Sequence, residues 1–128
     1  MENRNQRISR LQRSAVIKAG AEHVPEDPSL RELRSEINSI PNRLNGRAGT
    51  ALQSQINYLR VLSDHIEKNP EMFGNRHRQA LLFSARVLRE LPLNNPVDLG
   101  YLVSGYDPEL GSALQKLHDY NLENRLKK

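Results

Sequence analysis

The stretch 27-DPSLRELRSEINSIP-41 decides the fold class. Asp27 and Pro28 open it, and Ser29 stands three residues before Glu32. That is the capping-box spacing, in which the hydroxyl takes an orphan helix N–H. Leu30, Leu33, Ile37 and Ile40 then fall on one stripe at i, i+3, i+7 and i+10, the period of a helix with one buried face. Pro41 has no N–H to give the next turn and stops the helix.

The same punctuation recurs on both sides. Downstream, 41-PNRLNGRAG-49 is a turn centred on Asn45-Gly46. Thr50 and Gln53 repeat the capping-box spacing and predict a helix to about Lys68, with Leu52, Ile56, Leu59, Leu62 and Ile66 inward. Asn69-Pro70 and Gly74 separate it from a helix over about Asn75–Leu91. There Ala80, Leu81, Phe83, Ala85, Val87, Leu88 and Leu91 cover more than half the circumference. A connection with room for one short helix from Pro96 leads to Asp107-Pro108, a cap and first helical residue. Leu110, Leu114 and Leu117 stripe the helix that follows. Upstream, residues 1–20 read as a basic N-terminal helix with Ile8, Leu11, Ala15 and Ala19 on its apolar side.

No strand alternation or repeat competes with this pattern. The expectation is an all-α chain of one domain, 1–128: an antiparallel four-helix bundle over 28–122, an additional N-terminal helix over 1–20, and a frayed tail over 123–128.

Composition narrows the function. Of 128 residues 37% are hydrophobic and 5% aromatic, so the core must be aliphatic. With no cysteine, disulfides and thiolate metal sites are excluded. The basic start is followed by no apolar stretch of signal-peptide kind, and no apolar run approaches the roughly 20 residues of a membrane span. The chain is therefore expected to be soluble when made. His23, His65, His77 and His118 lack any metal-ligand spacing, and no phosphate loop or nucleophile elbow occurs. No cofactor, metal or catalytic residue is expected, and the chain reads as a non-enzyme.

Charge is what remains. The net charge is +4, with 14 Arg among 19 basic residues, and it lies in blocks. Arg4, Arg7, Arg10 and Arg13 repeat every three residues; at about 100° per residue they wind as a spiral, which no flat surface meets at every arginine. The acidic block 22–36 is their nearest counter-charge in sequence. Arg43 and Arg47 flank Leu44 with no acid nearby. Arg76, Arg78, Arg86 and Arg89 occupy another acid-free block, with Arg78, Leu82, Arg86 and Arg89 on one sector.

In an up-down bundle the first and third connections share one end. Arg43, Leu44 and Arg47 then lie near Arg86, Arg89 and the apolar residues Leu93, Val97, Leu99, Tyr101 and Leu102. A helical bundle with such a basic-hydrophobic tip resembles the membrane-localisation domains of bacterial toxins and type III effectors. The resemblance implies docking to phosphatidylserine or phosphoinositide headgroups on the inner face of a host plasma membrane. It also implies that Arg43, Leu44, Arg47, Arg86 and Arg89 make the contact. Arg7, Arg10, Arg13, Arg76 and Arg78 are the secondary basic candidates. The alternative is a protein–protein interaction module (adaptor, chaperone or effector domain), whose mark is a hydrophobic groove. Nucleic-acid binding is the weakest reading, for want of stacking aromatics and of a helix-turn-helix. Oligomeric state is left open.

Overall fold

The computed structural model describes the backbone of residues 4–91 and 98–126, and the side chains of residues 10–91 and 98–125. Those residues form six helices and no strand: α1 (Arg4–Ala21), α2 (Leu30–Asn38), α3 (Gly46–Lys68), α4 (Asn75–Glu90), α5 (Leu99–Tyr106) and α6 (Pro108–Leu126). The chain is all-α.

The cap at Ser29 forms as its spacing dictates. Its Oγ accepts the Glu32 N–H at 3.1 Å, and Leu33, Ile37 and Ile40 are buried. The second capping box does not form. α3 is capped five residues earlier than expected, at Asn45, and starts at Gly46. The Thr50 hydroxyl, now inside the helix, donates to the Gly46 carbonyl at 3.1 Å, and Gln53 turns to Asn57. α6 continues past residue 122, where the tail was expected to fray.

Ion pairs give the helix directions. Arg34 of α2 reaches Asp64 and Glu67 near the end of α3, while Asn38 meets Arg60, so these two helices are antiparallel. Asp27 meets Arg78 at one end of α2 and Glu36 meets Arg89 at the other, so α2 and α4 are parallel. The connection 69–74 folds back on Phe73, which is 1% exposed and packs edge-on against His77 and Tyr120.

α4 is the axis: it packs against α1, α2, α3, α5 and α6. Encirclement buries Leu82, which the sector reading set beside solvated arginines. Ala15 and Ala19 of α1 cover the side of α4 that a simple four-helix arrangement leaves open; their small side chains let the two backbones approach. Close approach also joins α5 to α6. A Cβ on Gly111 would lie 2.8 Å from the Ser104 Cα, so only glycine fits there.

Candidate interaction surfaces

The arginines of α4 turn inward on the chain itself. The Arg86 side chain is 12% exposed; its Nε lies 3.2 Å from Glu22 and 3.4 Å from Glu36, and its Nη1 donates to the His23 carbonyl at 3.0 Å. Arg89 bridges Glu36 at 2.9 Å and Glu22. Arg78 pairs with Asp27 and donates to the Pro28 carbonyl at 2.7 Å. Gln79 and Asn75 hold the carbonyls of Pro25 and Glu26. The linker between α1 and α2 is thus a strap laid along α4 and fastened by its polar side chains. Glu22, Asp27 and Glu36 of the acidic 22–36 block thus serve α4. Arg76 pairs at 3.1 Å with Glu109, both of them exposed.

Arg43 and Arg47 are placed differently. Both are exposed, and neither makes an ion pair with a described residue. Their loop is stapled. Asn42 Nδ2 donates to the Gly49 carbonyl at 2.8 Å, while its Oδ1 accepts the Leu44 N–H at 3.2 Å. Gly49 has no Cβ to push the Leu44 carbonyl away; one would sit 2.4 Å from that oxygen. Arg47 lies in the first turn of α3, which holds no acid and whose Asn45 cap makes no side-chain bond, so the positive helix pole is open.

Among the described residues, the aliphatic members of the expected tip are not exposed. Leu44 is half-buried against the core, and Leu99 and Leu102 are buried. Leu93 and Val97 lie outside the described residues, as do the side chains of Arg4 and Arg7. Of the described members of the expected third-loop set, Tyr101 faces solvent, on α5.

Tyr101 belongs to a surface the sequence reading missed. α1 carries a second stripe, Arg13, Val16, Ile17 and Gly20, at i, i+3, i+4 and i+7. It runs beside α5, where Gly20 meets the Tyr106 ring and that ring stacks on Phe83 at 4.2 Å. Between the helices lies an open groove of about 410 Å³, lined by Gln12, Arg13, Val16, Tyr101, Leu102 and the small residues Ser104 and Gly105. Ile17 is 65% exposed and Tyr101 75%. The signal was present in the spacing of residues 13, 16, 17 and 20, but the more regular arginine series overlaid it.

The histidines join elements. Tyr58 Oη meets His118 Nδ1 at 2.5 Å and His65 Nε2 meets Asn121 Oδ1 at 3.0 Å, two polar rungs between α3 and α6. Burial first, and then the Asp119 charge, push the Tyr58 phenol pKa up, so it stays protonated. His77 Nδ1 accepts the Gly74 N–H at 3.0 Å, closing the first turn of α4. Among the described residues no three His, Asp or Glu side chains gather as a metal site, and no helix is long and apolar enough to cross a membrane. No protein family, curated protein or solved structure compared with this chain matches it.

Proposed function

We propose that this chain is a non-catalytic protein-interaction module. In this reading α2, α3, α4 and α6 serve as an antiparallel four-helix frame, and α1 with α5 is the layer that docks a partner. The observation that supports it is the exposure of Ile17 and Tyr101 on the two helices flanking one groove. Burying a side chain of that size stabilises a complex by roughly 1.5–3 kcal/mol, so a pair of them can anchor an interface. The test is capture by a photo-crosslinking residue placed in the groove wall at Gln12. A discrete partner should be captured, and the double variant Ile17→Asp/Tyr101→Ser should lose it while keeping its circular dichroism. Equal capture by that variant removes the groove as the docking site.

Docking to anionic membrane is the second reading, supported by the stapled loop that holds Arg43 and Arg47 in solvent. Each arginine near such a surface contributes about 1 kcal/mol, so this pair gives weak, salt-sensitive binding without apolar insertion. Pelleting with phosphatidylserine vesicles at low salt should fall to background in Arg43→Glu/Arg47→Glu. Its persistence in that variant sinks the tip.

A further inference from the structure

The groove between α1 and α5 has a charge pattern that narrows its occupant. Resting on the docking reading above, we infer that the groove receives an acidic amphipathic helix of a partner protein. α1 contains Arg4, Arg7, Arg10, Arg13 and Lys18 and no acid, and α5 contains no charged residue. Arg13 is the one charged residue among those lining the groove.

Among the described residues, the acids at the ends of these two helices are engaged in an ion pair or a helix cap. Glu22, just beyond α1, is held by Arg86 and Arg89. Asp98 accepts the Tyr101 N–H at 3.0 Å as the cap of α5, and Asp107 accepts the Glu109 N–H at 2.9 Å at the start of α6. A docked segment therefore meets positive charge at the rim and apolar surface within. Acidic residues flanking an apolar stripe complement both.

Geometry selects a helix over a strand. The groove walls are two helices whose backbone groups are bonded within themselves, so no ladder of free N–H and C=O groups is offered for strand addition. Recognition must come through side chains. α5, with eight residues, is about 12 Å long, which matches two turns of a partner helix and anchors at i, i+3 or i+4, and i+7. Ser104 and Gly105 in the lining are small, leaving room for a leucine- or phenylalanine-sized anchor beside Val16 and Tyr101.

The test uses the full chain and three labelled peptides read by fluorescence anisotropy. One is an amphipathic helix with a leucine stripe and glutamates elsewhere. A second has the same composition scrambled, and a third has lysine for each glutamate. The first peptide alone should bind, more weakly as salt rises. Arg13→Glu should weaken it about tenfold, and Ile17→Asp/Tyr101→Ser should abolish it. Equal binding of all three, or of none, overturns the inference.

The Gln12 cross-link separates the two failures. A captured protein with no preference for the acidic peptide leaves the docking face standing and removes only the partner chemistry. No capture and no peptide binding removes both. Phosphatidylserine vesicles make a further arm. If they bind and Ile17→Asp/Tyr101→Ser loses that binding while no peptide binds, the occupant is lipid and the inference is wrong.

Discussion

His77 shows how a single side chain is legible in type but not in role. Sequence places it at the third position of a helix, where a capping-box residue belongs; only the fold puts Phe73 against one face of its ring and buries Nε2 without a partner. Burial first, and then the Lys116 and Arg78 charges, lower its pKa below the ordinary value of 6.5. The unfolded chain, whose histidine keeps that ordinary value, then binds more protons over the window just below it. Stability is full above about pH 6.5 and is lost as pH falls through the folded pKa. His77→Gln keeps an acceptor for the Gly74 N–H and removes the titration. The difference in urea midpoint between wild type and variant should shrink or reverse from pH 7 to pH 5. A difference that stays constant over that range would falsify the assignment.

Among the elements, α4 is where local reasoning ran out. Its length, its end before Pro92 and its broad apolar surface followed from local pattern. The fate of Arg86 and Arg89 did not, because their partners Glu22 and Glu36 lie on segments far away in sequence. In water a charge on a helix face is unremarkable; under a strap it needs a counter-charge, since the low-dielectric setting magnifies both penalty and attraction. Arg86→Ala should therefore cost about 2–3 kcal/mol by leaving Arg89 alone to neutralise Glu22 and Glu36. Arg34→Ala, whose pair with Asp64 and Glu67 is well exposed on both sides, should cost under about 1 kcal/mol. Chemical denaturation measures both, and equal costs would mean that the strap is not held by charge. The same contrast explains why Arg43 and Arg47 are the arginines of the expected tip still open to a ligand.

For the whole molecule, α1 is the test of how the layers depend on each other. Its buried Ala15 and Ala19 lie on a helix packed against α4, and its Arg13 and Val16 line the groove. A chain lacking residues 1–21 should lose a few kcal/mol, the scale of uncovering about 150 Å² of apolar surface, and should bind a hydrophobic dye. Unchanged stability with no dye binding would make α1 an appendage. Sequence by itself determined that the chain is helical and roughly where most helices begin and end, because the 3.6-residue period, caps and prolines act over a few residues. It placed the cap of α3 at Thr50, where the structure has Asn45, since both are ordinary cap residues and the packing of Leu44 and Gly49 decides. Only the tertiary structure decided which arginines are neutralised, which apolar residues are covered, and that two neighbouring helices leave an uncovered groove. Charge pairing and burial depend on distance in space, and here the partners are separated by most of the length of the chain.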